Sequence, residues 1–181
     1  MRRLLGFTLI ELLVAIVILG ILIAVAQPSF STLIAEQRLR QVSQQLRTSI
    51  TLARSEAVKR NEGVVLLRRD GAWANGWCIE PSTVAGSAVT ACSATPIDTY
   101  VAAQGATISG VGGISQVSFN AWGRTASCPK FELETQSSVG ACKVCLYIET
   151  DGRVSSATGA CSSVTCPGSE EDNPWSGACS S

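Results

Sequence analysis

The chain has 181 residues with 14 Lys+Arg and 14 Asp+Glu, so its formal net charge is zero and its length suits one domain. It has no His, which excludes His-based triads, His general bases and His-containing zinc sites. Eight Cys behind an apolar N-terminus place it outside the reducing cytosol. The neutrality is uneven: residues 1–70 carry ten basic and five acidic residues, whereas 71–181 carry four and nine. This split argues against a uniform nucleic-acid-binding surface and leaves room for a local basic stripe.

Residues 1–6, MRRLLG, form a short basic leader. Residues 7–26 are apolar apart from Glu11, Thr8 and Gly20. A helix of about twenty apolar residues spans roughly 30 Å, the thickness of a bilayer core. Arg2 and Arg3 keep the leader cytoplasmic by the positive-inside rule, with the remainder of the chain on the other side. The run is too long for a signal-peptide core, and no small-x-small cleavage site follows it. Glu11 is the anomaly. A carboxylate in such a span either snorkels to the interface or has a cationic partner.

The apolar pattern resumes directly after Pro28, so the proline is expected to kink the helix rather than end it. Leu39, Val42, Leu46, Ile50, Ala53 and Ala57 recur at helical spacing and form a stripe suited to docking on a sheet. Together the two halves predict one helix of roughly 80 Å. Its other face carries Arg38, Arg40, Gln41, Gln44, Arg47, Arg54 and Lys59. That face is either solvated, with pairs such as Glu56 to Arg60, or a contact for acidic neighbours or nucleic acid. Asn61-Glu62-Gly63 is helix-ending chemistry.

From Gly63 the period changes. Val64–Arg69 reads as a buried strand, Asp70-Gly71 as a turn, and Trp73 with Gly76–Glu80 as the return strand. Residues 81–99 read as a loop. Later strands are expected at 107–109, 117–120, 131–134, 144–148 and 153–155. The predicted class is α+β: a long N-terminal helix, transmembrane half plus amphipathic half, packed on antiparallel sheet with disulfide-stapled loops and tail. The expected organisation is leader 1–6, apolar helix 7–27, amphipathic helix 28–62, β-rich domain 63–155 and Cys-containing tail 156–181.

Cys78, Cys92, Cys128, Cys142, Cys145, Cys161, Cys166 and Cys179 all lie beyond the helix. They read as structural disulfides with roughly a hundred candidate connectivities. Cys142-x-x-Cys145 alone is a redox or zinc half-site, but no matching second pair and no His accompany it. Cys161, Cys166 and Cys179 are expected to pin the tail to the sheet, with Trp175 as a further anchor. No nucleophile–base pair, phosphate loop or paired catalytic carboxylates stand out; Glu132 and Glu134 share one strand face, where Glu is commonly solvent-facing. No enzyme, cofactor or metal is expected.

Gly6-Phe7-Thr8-Leu9-Ile10-Glu11 resembles the type IV pilin and pseudopilin processing signal. The resemblance implies cleavage after Gly6 by prepilin peptidase, N-methylation of Phe7, and pairing of Glu11 with the N-terminal amine of a neighbouring subunit. Pro28 falls where that family often has a kinking proline. Leu52–Arg60, the tryptophan hairpin Trp73…Gly76-Trp77, Phe119–Arg124 and Asp151–Val154 are similar to the FimT/FimU/GspH branch of minor pilins and pseudopilins. This implies partners among other minor and major pilins or pseudopilins, an inner-membrane assembly platform, and an inner-membrane location with a periplasmic C-terminal domain. The implied functions are a minor pilin that primes or caps a type IV pilus, a pseudopilin of type II secretion, or a DNA receptor. Some relatives bind DNA through Gly-Arg-x-Arg. Here Gly152-Arg153-Val154-Ser155 lacks the second arginine and an acidic tail follows, so Arg153 is the sole candidate DNA contact in that motif.

Overall fold

The computed structural model describes residues 8–84, 87–101, 105–137 and 140–166, without the side chains of 25–29, 84 and 87. The leader, Gly6, Phe7, the Pro28 ring and its kink, and tail residues 167–181 with Trp175 and Cys179 lie outside the described residues. Helix α1 spans Leu9–Arg60 as one element. Thr8 stands extended at its start, and its Oγ1 accepts the Glu11 N–H. Asn61 closes it in the left-handed conformation (φ 52°), its N–H reaching the Ala57 and Val58 carbonyls. Asn tolerates that conformation better than most side chains, which is why the chain turns there.

The second half of α1 is amphipathic as its spacing predicts. Leu39, Val42, Leu46, Ile50, Ala53 and Ala57 are all buried, and Ala35, Ser43 and Ser49 join them. They lie against two four-stranded antiparallel sheets. One sheet contains β1 (Val64–Arg68), β2 (Trp77–Pro81), β5 (Asp98–Tyr100) and β7 (Gln116–Phe119), in the order β5-β2-β1-β7. The other contains β6 (Thr107–Gly110), β8 (Lys130–Ser137), β9 (Gly140–Ile148) and β10 (Val154–Thr158), in the order β10-β9-β8-β6. Thr83–Val84 (β3) and Ser87–Ala88 (β4) make a separate small hairpin.

Strand alternation sends one face of each sheet to the helix. Leu66, Ile79 and Phe119 from the first sheet and Phe131, Leu133, Val144 and Leu146 from the second share one core with α1. Trp77 Nε1 donates to Ser49 Oγ at 2.7 Å within that core, and Trp73 Nε1 donates to the Ile114 carbonyl at 2.8 Å. Each outer face is covered by a cross-linked segment. Val65, Leu67 and Cys78 lie under Val89 and Cys92, and Cys78 is bonded to Cys92. Cys145 and Tyr147 lie under Cys161 and Val164, and Cys145 is bonded to Cys161. The domain thus has a helix layer, a sheet layer and a covering loop layer.

Three strand expectations change. The stretch 81–99 is not all loop: it holds the β3–β4 hairpin and the start of β5. β5 is short and polar, so it carries no apolar alternation; its place comes from pairing Cys78 with Thr99 and from Tyr100 stacking on Trp77, centroids 5.9 Å apart. Trp73 sits in a 3-10 turn, Trp73–Asn75, rather than on the return strand. Its ring meets Phe131 edge-on at 4.8 Å, a tertiary contact the local sequence does not announce. β10 continues to Thr158, beyond residue 155, because Ser156, Ala157 and Thr158 all pair with β9.

Candidate functional site

The apolar half of α1 is the first functional feature. From Leu9 to Ile23 its large apolar side chains are 47–82% exposed, with apolar residues on every side of the helix. Phe30, Leu33 and Ile34 continue that exposure toward the docked half. Such a surface has to be buried by something other than its own domain. Glu11 is the single charge in the run and lies in the first turn, where a carboxylate is favoured by the helix dipole. Among the described residues no helix is long and apolar enough to cross a membrane. The 7–26 span expected from sequence extends past the described side chains at both ends.

The second feature is a corner at the far end of α1, where three separate sequence motifs meet. Arg54, from the helix, packs against both Gly123 and Gly152. Gly123 lies in the β7–β8 connection and Gly152 in the β9–β10 turn; both have positive φ, 70° and 83°. Asn120 Oδ1 accepts the N–H groups of Trp122 (3.0 Å) and Arg124 (2.9 Å) and fixes the first turn. Thr125 ties the two turns together: its N–H donates to the Thr150 carbonyl and its hydroxyl to those of Ser127 and Glu149. Trp122 projects from this frame 77% exposed. The sequence shows each motif but neither their convergence nor the exposure of Trp122; the local signal is a tryptophan inside an Asn-x-x-Gly turn just beyond β7.

Arg153 belongs to this corner but is already engaged. Its guanidinium pairs with Glu149 Oε2 at 3.1 Å, and its N–H donates to Asp151 Oδ1. Glu149 is itself mostly buried and accepts the Ser155 hydroxyl. The basic helix face is also partly consumed inside the fold: Arg47 donates to the Val154 carbonyl and to Ser156 Oγ. Glu56 pairs with Arg60 at 2.8 Å and with Lys59 at 3.3 Å. Those hydrogen bonds, Arg60 first, hold the Glu56 carboxyl below the usual carboxylate range.

Glu132 and Glu134 do share a face, and Lys143 sits between them at 3.2 Å from each. The Glu132 hydrogen bond is the larger cause of the upward shift at Lys143, with Glu134 second. Glu132 Oε2 also accepts the Cys161 N–H, so the pair is a structural clamp for the covering segment. The Cys142-x-x-Cys145 pair is covalently split: Cys145 bonds to Cys161, and Cys142 is itself disulfide-bonded. Cys128 bonds to Cys166, and Lys130 Nζ donates to the Val164 carbonyl beside it. Among the described residues no cluster of His, Cys, Asp and Glu could hold a metal ion.

A long helix, apolar and uncovered in its first half and sheet-docked in its second, defines a pilin-type subunit. The family model for the type II transport protein GspH matches residues 42–152, and the prokaryotic N-terminal methylation motif matches residues 1–26. The chain belongs to the GspH family and is a minor pilin or pseudopilin. Two crystal structures of the type IV minor pilin FimU from Pseudomonas aeruginosa (strain PAO1) share its fold. In space group P21 the TM-score is 0.53 at 21% identity, covering 65% of this chain and 87% of FimU. In space group P65 the values are 0.51, 20%, 65% and 90%. Comparison with curated protein sequences gives no significant match.

Proposed function

We propose that the chain is a minor pilin that primes or caps assembly of a type IV pilus. One observation carries the reading: an uncovered apolar helix half with a single first-turn carboxylate, Glu11, continuous with a docked half that holds a disulfide-stapled domain. Prepilin peptidase cuts after Gly6 and methylates Phe7. The chain then waits in the inner membrane, its C-terminal domain in the periplasm, until an inner-membrane assembly platform adds it to other pilins. Glu11 pairs with a neighbour's N-terminal amine. In the apolar filament core that pair satisfies both groups and sets axial register, whereas either one alone is an uncompensated buried charge. The role is structural, with no catalytic step.

The second reading, a minor pseudopilin of a type II secretion system, is favoured by the GspH match itself. DNA uptake has less support, because Arg153 is held by Glu149. A deletion in the native host, complemented with wild type or Glu11→Ala, tests all three. Loss of surface pili with intact secretion supports the pilus reading; lost secretion with normal pili supports the pseudopilin; retention of both with lost transformation supports the DNA reading. Full complementation by Glu11→Ala would remove the assembly role of that carboxylate.

A further inference from the structure

We propose that the corner at the distal end of α1 docks a second pilin-type subunit, with Trp122 entering an apolar pocket flanked by carboxylates on that subunit. The inference rests on the pilin reading above. Trp122 is 77% exposed, whereas Trp73 and Trp77 are buried. Val58, at 52%, exposes a second apolar side chain, and its Cγ2 lies 3.0 Å from where a Cβ would stand on Gly123, the residue after Trp122. The turn is rigidly built by Asn120 and Thr125, so presenting the indole to a partner costs little ordering entropy. Tryptophan and arginine are the residues that most often anchor protein interfaces.

Charge gives the partner its sign. Arg124, exposed beside Trp122, and Arg54, beneath the turn, make no ion pair among the described residues, while Glu56 and Glu149 are taken by Lys59, Arg60 and Arg153. Exposed Glu62 and Asp151 equal Arg54 and Arg124 in number, and the corner keeps one positive charge in excess because Glu56 is shared by Lys59 and Arg60, so the rim is mixed and slightly basic. Three of these cations are already matched to carboxylates, which leaves few for phosphates and favours a protein over a nucleic acid. Lipid is excluded by position: Val58 lies 49 residues along α1 from Leu9, roughly 75 Å from the start of the apolar half. A subunit stacked along the same helical axis would meet this end.

The experiment uses the full chain in its native host, with a photo-crosslinking benzoylphenylalanine at position 122. The expected result is an adduct whose partner peptides come from a chain bearing its own N-terminal methylation motif. Trp122→Ala and Arg124→Glu should each lower recovery with that partner about tenfold or more, with disulfides and thermal melting unchanged. Adducts confined to lipid, adducts destroyed by nuclease, no adduct, or undiminished recovery of both variants would each overturn the inference while leaving the pilin reading intact. If wild type itself is not recovered with any pilin-type chain, the pilin reading fails and this inference falls with it.

Discussion

Gly152 sits so close to Gly123 that a Cβ at position 152 would lie 2.1 Å from the Gly123 carbonyl oxygen. The contact joins the β9–β10 turn to the turn that carries Trp122. Backbone is at stake on both sides, so no side-chain rotation relieves it.

Gly152→Ala is therefore expected to destabilise the domain by more than its backbone cost. Forcing a side chain into φ +83° costs about 1–3 kcal/mol, and the overlap adds to that. Gly159→Ala is the control, because Gly159 has a similar φ, +84°, with nothing within 4 Å of its Cβ position. Thermal melts of both variants in detergent should show the larger drop at 152. Equal drops would mean that the two turns separate freely.

This contact also marks where the sequence stopped being informative. The stripe from Leu39 to Ala57 was legible because a 3.6-residue period has one physical reading, and all six residues are buried. β8 and β9 were legible from alternation at Phe131/Leu133 and Val144/Leu146/Ile148. β5 was not, since Asp98-Thr99-Tyr100 has no apolar pattern and is held by pairing with β2. Cysteine pairing was equally closed to sequence: nothing local tells Cys145 to choose Cys161 over its neighbour Cys142. Gly123 and Gly152 were visible as turn residues, but their meeting is a long-range fact of the fold.

Ser49→Ala should cost about 1–3 kcal/mol, because it strands the indole N–H of fully buried Trp77. Ser49 Oγ in turn donates to the Gln45 carbonyl, so the hydroxyl links the sheet to the helix backbone. Ser55→Ala, an exposed serine bonded to its own helix, should stay within about 0.5 kcal/mol. Chemical denaturation of both variants checks the contrast. A neutral Ser49→Ala would show that water or another acceptor takes over the indole.

Two ion-pair clusters, Glu56 with Lys59 and Arg60 and Lys143 with Glu132 and Glu134, predict opposite limbs of a stability–pH curve. Glu56 has a lowered pKa, so its contribution is complete above the ordinary carboxylate value of 4.5 and is lost as pH falls through the folded value. Lys143 has a raised pKa, so its contribution is complete below 10.5 and is lost as pH rises through the folded value. Both groups are solvent-screened, so the effects are modest and should shrink in high salt. Melting temperatures against pH should show Glu56→Gln flattening the acid limb and Lys143→Met the alkaline limb. An acid limb unchanged by the first variant, or an alkaline limb unchanged by the second, would assign that limb to other groups.

The covering layer predicts a graded response to losing its cross-links. Cys78–Cys92 closes a separation of 14 residues and Cys128–Cys166 one of 38. Loop-closure entropy makes the first worth about 3 kcal/mol and the second about 4 kcal/mol. Paired alanine variants of each bridge, unfolded in denaturant, should therefore rank with Cys128→Ala/Cys166→Ala the less stable. Non-reducing peptide mapping adds an independent check. None of the seven described cysteines is free, three pairs account for six of them, and Cys142 is disulfide-bonded. Cys179 is the one remaining cysteine in the chain, so a peptide linking Cys142 to Cys179 is expected. Such a link would tie the far end of the acidic tail to β9; its absence, with Cys142 found bonded to another chain, would make that cysteine an intersubunit cross-link instead.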